Sequence, residues 1–279
     1  PIKSDWSGSE GEKFDFIGSL LFFFIIISLM QGFSTLINDM GKFLIFAGIL
    51  GTVIFLKYED SIKHPLLRIS IFKNSVFTIS IISILIINLG TTSMTFLLSL
   101  YLQYLKLLSP NAAGIILVLQ PLSVTILSPF AGKISDIIDV RIITSAGMAI
   151  TSIGLFSFTF LNNNTHLDHI ILGLILVGTG LALFSSPATS AAMNSIGKEM
   201  YGTASATVST MVFTGQVLSM GIIILIFDLY LGNVQIIPKY YSLFLKSVNI
   251  AFFIYTAFCF AAIFALLLMG KNKSVYNEN

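Results

Sequence analysis

The stretch Gln120–Arg141, QPLSVTILSPFAGKISDIIDVR, contains the end of one apolar run, a short polar turn and the start of the next run. Within this one connection lie two prolines, a glycine, two carboxylates and a guanidinium: Pro121, Pro129, Gly132, Asp136, Asp139 and Arg141. The runs on both sides are long and almost free of charge. The pattern therefore predicts two membrane-spanning helices joined by a tight polar turn.

The composition extends this prediction to the whole chain. Of 279 residues, 55% are hydrophobic and 10% are charged, whereas a soluble domain has about 25% charged residues. A net charge of +2 gives no reason to expect nucleic acid as a partner. The single cysteine, Cys259, lies in an apolar run, so no disulfide or metal-ligand set is predicted. The fold class is therefore an all-α polytopic membrane protein surrounded by lipid.

Eight segments are long and apolar enough to cross a bilayer of about 30 Å of hydrocarbon. The predicted spans are Phe16–Ile37, Met40–Tyr58, Ser75–Leu98, Asn111–Ala131, Ile142–Leu161, Ile170–Met193, Ala204–Phe227 and Val248–Gly270. The basic residues predict their orientation, because cytoplasmic loops are enriched in lysine and arginine. With both termini cytoplasmic, only Lys42, Lys106, Lys239 and Lys246 of the 15 basic residues fall outside. We therefore expect a multi-pass protein of the cell membrane with this topology.

The predicted organisation has five parts. A cytoplasmic linker covers residues 1–15, a transmembrane helix pair 16–58, a cytoplasmic amphipathic connection 59–74, a six-helix bundle 75–270 and a cytoplasmic tail 271–279. Because the chain begins with a polar segment and with Pro1, we interpret it as part of a longer protein.

Two kinds of span are expected from the polar residues. The third, fourth, sixth and seventh contain amides and hydroxyls, which face protein or water because lipid cannot bond them. The fifth and eighth are almost entirely apolar and are expected at the lipid-facing periphery. Small residues recur every fourth position in two spans, at Gly178, Ala182, Ser186 and Ser190 and at Gly202, Ala206, Thr210 and Thr214, which predicts close helix packing.

The sequence disfavours an enzyme or a channel. All three histidines fall in connections, no glutamate falls within a predicted span, and no metal-binding, phosphate-binding or redox motif occurs. A selectivity filter or charged ring is also missing. No cofactor is expected. The function class that remains is a protein that moves neutral, apolar or weakly charged molecules through an amide-lined cavity.

A family resemblance narrows this expectation. Gly132, Asp136 and Arg141 resemble the loop signature G-x-x-x-D-R-x-G-R-R of the major facilitator superfamily, although Ile137, Asp139 and Val140 replace its other residues. Further stretches resemble the 14-helix drug:proton antiporter branch in the same order along the chain. They are EKFD at 12–15 with Gly18, PLLRISIFKN at 65–74, YLQ at 101–103, SPNAAG at 109–114, Gln120-Pro121, Gly178-x-Gly180 with Pro187, and Gly202-x-Ala204-Ser205.

The resemblance implies the C-terminal portion of such a transporter: a central helix pair followed by the second six-helix bundle, with an N-terminal bundle as its missing partner. It further implies proton-coupled efflux of drugs or other lipophilic small molecules by alternating access. Proton coupling is implied by the family alone. A narrow-specificity metabolite transporter of the same fold and a non-transport membrane scaffold are the alternatives.

Two sets of residues are predicted to be functional. Candidate cavity residues are Asn88, Tyr101, Gln103, Gln120, Asn194 and Gln216, each of which could instead form a hydrogen bond between helices. The second set, the gate motif, consists of Gly132, Asp136, Asp139 and Arg141 and is predicted to hold one transporter state closed on the cytoplasmic side. The alternative is a solvated turn whose charges anchor the membrane interface.

Overall fold

The computed structural model describes residues 15–36, 38–62, 69–135, 137–197, 200–232, 234 and 236–268. Within these ranges all regular structure is helical. The α-helices are α1 Phe16–Ser34, α2 Asp39–Ser61, α3 Ser75–Tyr104, α4 Pro110–Leu117, α5 Leu119–Ser135, α6 Val140–Ser157, α7 Leu167–Asn194, α8 Tyr201–Tyr230 and α9 Tyr241–Leu267. In the described part of the chain, eight helical segments are long and apolar enough to cross a membrane, which agrees with the predicted number of spans.

Several predicted parts lie outside the described residues. They are residues 1–14 of the linker, residues 63–68 of the amphipathic connection, Asp136 of the gate motif and the tail at 271–279. Of the connection, Ile69–Lys73 forms a short 3₁₀ helix that leads into α3.

The ends of the helices differ from the ends of the apolar runs. α3 continues to Tyr104 instead of ending at Leu98, and α9 begins at Tyr241 instead of Val248. Polar residues such as Gln103 and Lys246 lower the hydropathy at these ends without stopping the backbone from remaining helical. Apolar run length therefore indicates the hydrocarbon-crossing part of a helix, not the limits of the helix.

The fourth span consists of two helices. Ser109 caps α4, with Pro110 at its first position, and the helix ends at Val118 before α5 begins. Pro121 has no N–H to donate to the carbonyl of Leu117, so the α-helical hydrogen bond at this point cannot form. The break lies within the span.

Helix α3 is at the centre of the bundle, where it packs against α7, α8 and α9. The largest fully buried side chains come from α3, α7, α9 and the segment after α6, and include Tyr101, Phe184, Tyr255, Phe158 and Phe252. Helix α5 packs mainly on α7, while α1 and α2 form a hairpin whose α1 contacts α8. Six helical spans thus form one bundle, with the hairpin at its side.

Glycines bring α6 and α7 into direct backbone contact. A Cβ added to Gly147 would lie 2.7 Å from the carbonyl oxygen of Gly180 and 2.8 Å from the nitrogen of Phe184. More than half of the apolar stretch of α6 is buried, compared with 6% for the fourth span. The prediction of a peripheral fifth span is therefore wrong: an apolar sequence suits a protein interior as well as lipid, and the glycines select the interior.

Helix α2 continues past the predicted end of the second span and includes Glu59. The prediction that no glutamate lies within a span is wrong. Glu59 belongs to α2, and only 2% of its surface is exposed. It lies on the same buried stripe as Gly41, Gly48 and Phe55. A charged residue thus ended the apolar run but not the helix.

Candidate functional site

The most polar exposed surface within the spans is formed by α7 and α8. We call it the hydroxyl face and define it by the exposed residues Ser186, Ser190 and Asn194 of α7 and Ser205 and Ser209 of α8. Four-residue spacing places the members on one side of each helix. The C-terminal part of α7 and the N-terminal part of α8 lie at the same end of the bundle, because residues 195–200 connect them.

The helix hairpin has the opposite kind of surface. Its exposed side chains are mainly large and apolar, and include Phe16, Leu20, Phe24, Phe43, Phe46 and Ile49. Lipid chains solvate such a surface well but cannot form hydrogen bonds with hydroxyls or amides. The hairpin surface is therefore suited to lipid, and the hydroxyl face is suited to water, a polar ligand or another protein surface.

The predicted small-residue stripes only partly pack. Gly178 contacts α5, where an added Cβ would lie 2.5 Å from the carbonyl oxygen of Gln120, and Ala182 is buried. Ser186 and Ser190, farther along the same stripe, are exposed, as are Gly202 and Ala206 of α8. Small residues at one end of α7 thus serve packing, whereas those near the hydroxyl face leave open surface.

Three of the candidate cavity residues have hydrogen bonds inside the bundle. Asn88 Nδ2 donates to the carbonyl of Ile84 at 2.8 Å, and Gln103 Nε2 donates to Ser99 Oγ at 2.8 Å. Tyr101 is fully buried, and its hydroxyl donates to the carbonyl of Asn162 at 2.6 Å. The Asn88 and Gln103 bonds lie within α3, and of these three bonds the one made by Tyr101 joins α3 to another segment, as the alternative in the sequence analysis required.

The other three candidates have amides that make no hydrogen bond to the described residues. Gln120 and Gln216 are half-buried, on α5 and α8, and Asn194 is exposed at the end of α7 within the hydroxyl face. Gln216 lines a groove between α1, α3 and α8. The structure thus separates the six residues into an internally bonded group and a group open to an external partner.

Among the described residues of the gate motif, Asp139 and Arg141 form an ion pair. Arg141 Nη2 lies 2.7 Å from Asp139 Oδ2, and Arg141 Nε lies 3.1 Å from Asp139 Oδ1. The same carboxylate accepts the backbone N–H of Arg141 at 3.0 Å and caps α6. Around Gly132, nothing in the described part of the chain lies within 4 Å of an added Cβ. Through these bonds, Asp139 holds the side chain of Arg141 at the N-terminus of α6.

Sequence reasoning missed an acidic cluster at the base of the hairpin. Oxygens of Asp15 and Glu59 both crowd the position where a Cβ of Gly18 would be, and Tyr58 donates its hydroxyl to Asp15 Oδ1 at 3.3 Å. Asp15 also caps α1 by accepting from the N–H of Gly18 at 2.8 Å. One sequence signal for this cluster was available. Glu59 follows Phe55 by four residues, which places both side chains on the buried stripe of α2.

A second missed residue joins two helices at the end of the bundle that contains the hydroxyl face. Asn74 Nδ2 donates to the carbonyl of Ser195 at 2.7 Å, while its Oδ1 accepts from the N–H groups of Val76 and Phe77. Asn74 thus caps α3 and connects it to the end of α7. An asparagine before an apolar run is a sequence signal for the cap, but not for the partner 121 residues away.

Comparison with known proteins agrees with the fold. The sequence profile of the Major Facilitator Superfamily matches residues 14–220 and residues 80–278. The riboflavin transporter RibZ of Clostridioides difficile is 29% identical over 196 residues, which cover 69% of this chain and 42% of that protein. The multidrug resistance protein Stp of Mycobacterium tuberculosis is 23% identical over 222 residues, covering 77% of this chain and 41% of Stp.

A third relative is the lincomycin resistance protein LmrB of Listeria innocua, 26% identical over 167 residues that cover 60% of this chain and 36% of that protein. The chain thus spans about two fifths of the length of these relatives. The profile match and the eight membrane-spanning helices concern most of the chain itself. The chain belongs to the Major Facilitator Superfamily, whose members are multi-pass membrane transporters and not enzymes.

Proposed function

We propose that this chain is the C-terminal portion of a transporter that exports lipophilic small molecules by alternating access, coupled to protons. In this proposal α1 and α2 are the central helix pair, and residues 75–270 are the second six-helix bundle. The partner is an N-terminal bundle, and both ends of the chain face the cytoplasm of a cell membrane. The names of Stp and LmrB, which refer to drug resistance, support export of drugs.

The hydroxyl face is the observation that supports transport most directly. Five small polar residues are exposed within two membrane-spanning helices, where contact with lipid would leave their hydrogen-bonding groups unsatisfied. Facing a second bundle across a water-filled cavity, they would be solvated and available to a passing substrate. Gln120 and Gln216, whose amides have no hydrogen bond to the described residues, would add two further groups to the same route.

We expect Ser190→Val in the complete transporter to lower the export rate roughly tenfold, because valine replaces a hydroxyl of the cavity with two methyl groups. Export is measured as loss of preloaded dye from cells that lack their own exporters, with and without a proton ionophore. Thr179→Val is the matched control. Thr179 is on the same helix, outside the hydroxyl face, and donates to the carbonyl of Ile175.

The outcomes distinguish the alternatives. Export that is unaffected by the ionophore would refute proton coupling, and equal rates for Ser190→Val and Thr179→Val would refute the cavity. A non-transport scaffold would move no solute and would lose nothing when Gln120 or Gln216 becomes alanine.

Transport of one metabolite is a second candidate, supported by the similarity to RibZ, which is named as a riboflavin transporter. Under that alternative the complete protein would move a single solute, and a panel of unrelated lipophilic compounds would leave its rate unchanged. Competition by several unrelated compounds would instead support drug export.

The gate motif is proposed to hold the cytoplasmic side closed in one state. Asp136→Asn and Asp139→Asn are expected to reduce transport several-fold while expression and membrane insertion stay normal, because each removes a negative charge from the motif that contains Arg141. Asp39→Asn is the control, since Asp39 forms an exposed ion pair with Lys42 at the far end of α2. Transport by both gate variants at the control level would contradict the proposal.

A further inference from the structure

A groove between the helix hairpin and the bundle has the size of a ligand site. Its volume is about 340 Å³, within the range of pockets that hold drug-sized molecules. We call it the hairpin groove. It is defined by Ile27, Met30 and Gln31 of α1, Thr92 of α3, and Gln216 and Met220 of α8.

Direct contact between α1 and α8 closes one end of this groove. A Cβ on Gly221 would lie 2.7 Å from both Cβ and Cγ of Phe33, so the glycine allows the phenylalanine to pack on the α8 backbone. The hairpin groove thus includes a wall from α1, outside the six-helix bundle.

The polar groups in the groove call for a hydrogen-bonding occupant. Gln31 and Gln216 contribute carboxamides, and neither forms a side-chain hydrogen bond to any residue that the structure describes. The Thr92 hydroxyl donates to the carbonyl of Asn88 at 2.7 Å. In a bilayer, an amide left without a partner costs several kcal/mol. A lipid acyl chain would leave both amides in that condition, whereas a ligand with donors and acceptors would bond them.

The remaining walls specify the rest of the occupant. Ile27, Met30 and Met220 are apolar, and the two methionines adapt to irregular shapes. The residues that line the groove include no acidic or basic side chain. A cation would therefore lose its hydration without gaining a counter-charge. The chemistry fits a neutral molecule that has an apolar body and a donor–acceptor edge.

We propose that the hairpin groove binds neutral amphipathic molecules through Gln31 and Gln216, and that α1 is part of the substrate route. This inference rests on the proposed transport function and adds a substrate class to it. Carboxamides pair with an imide edge, because each can accept one hydrogen bond and donate another. Planar heteroaromatic imides are the class that matches the two amides and the apolar walls.

The test uses the complete transporter in lipid nanodiscs, with lumiflavin as the neutral imide probe and ethidium as the cationic probe. Binding is followed by fluorescence anisotropy. Gln31→Leu and Gln216→Leu should each weaken lumiflavin binding at least tenfold, since leucine keeps most of the volume and removes the amide. Phe24→Leu, on the exposed part of α1, is the control and should bind lumiflavin like the unaltered protein.

A labelling experiment tests the same proposal without the leucine variants, in case these do not fold. Cys259, the single cysteine of this chain, is fully buried, so Gln31→Cys provides a site for a maleimide reagent once any cysteines in the rest of the transporter are replaced by serine. Lumiflavin should slow its labelling several-fold, and ethidium should not. Unchanged binding by both leucine variants, unchanged labelling with lumiflavin present, or ethidium binding that depends on both amides would each overturn the proposal.

Binding and transport are measured separately, so that the two proposals can fail independently. If the protein in proteoliposomes moves neither probe nor any other solute, the transport proposal fails while the anisotropy data still decide the groove. If transport proceeds and both leucine variants bind and move lumiflavin normally, the groove proposal alone fails.

Discussion

Replacing Gly180 with alanine is expected to destabilise the bundle by about 2 kcal/mol, and leucine by more, because the α6–α7 interface has no space for a side chain. An added Cβ would lie 2.5 Å from the backbone nitrogen of Thr151 and 2.6 Å from the carbonyl oxygen of Gly147. Both are backbone atoms, so relief requires the two helices to move apart. The melting temperature of the purified protein in detergent should fall by roughly 4–8 °C for alanine.

Gly114→Ala is the matched control for that experiment. It lies within helix α4, and nothing is within 4 Å of an added Cβ. Alanine at an open helical position is expected to raise stability by about 0.5–1 kcal/mol, since it restricts the unfolded backbone. A Gly180→Ala protein that melts at the temperature of Gly114→Ala would contradict the direct α6–α7 contact.

The second large effect is expected at Asn74, which makes two kinds of bond with one side chain. Alanine removes the cap of α3, worth about 1 kcal/mol. It also deprives the carbonyl of Ser195 of its donor at 2.7 Å, which costs about 1–3 kcal/mol in a half-buried site. We expect Asn74→Ala to lower the free energy of unfolding by about 2–4 kcal/mol, as measured by thermal or denaturant unfolding.

Two further variants separate the contribution of the α3 cap from that of the hydrogen bond to Ser195. Asn74→Ser keeps a capping oxygen but is too short to reach Ser195, so it should retain about half of the lost stability. Asn38 is also an N-cap, of α2, but its side chain makes no capping hydrogen bond. Asn38→Ala should therefore have little effect. If Asn38→Ala and Asn74→Ala were equally destabilising, the connection between α3 and α7 would have no measurable role.

The sequence predicted features that depend on composition along the chain. Eight apolar runs became eight spans, since about 20 apolar residues are needed to cross hydrocarbon whatever their neighbours are. The polar residues of α7 and α8 were also recognised. What a linear pattern could not supply was the side of the helix on which a partner lies. Tyr101 and Gln120 look equally suitable for a cavity, but one is bonded in the core and the other is not.

The misjudged elements share a physical cause. Glu59 ended an apolar run without ending α2, because a buried carboxylate can be accommodated between helices where Gly18 leaves room. The fifth span looked suited to lipid because its side chains are apolar, but its glycines allow α7 to approach. In both cases a contact between distant segments decided the outcome, and hydropathy averages do not contain distant contacts.

The break in the fourth span is the point at which the angle between α4 and α5 can change. On one side of Val118, α4 is held against α3; on the other, α5 is held against α7 at Gly178. Pro121 removes one backbone bond between the two parts, although Leu122 N still donates to the carbonyl of Val118 at 3.0 Å, so fewer bonds oppose bending here than in a continuous helix. We therefore expect a shift of α3 relative to α7 to change the angle between α4 and α5 near Val118, two residues from Gln120.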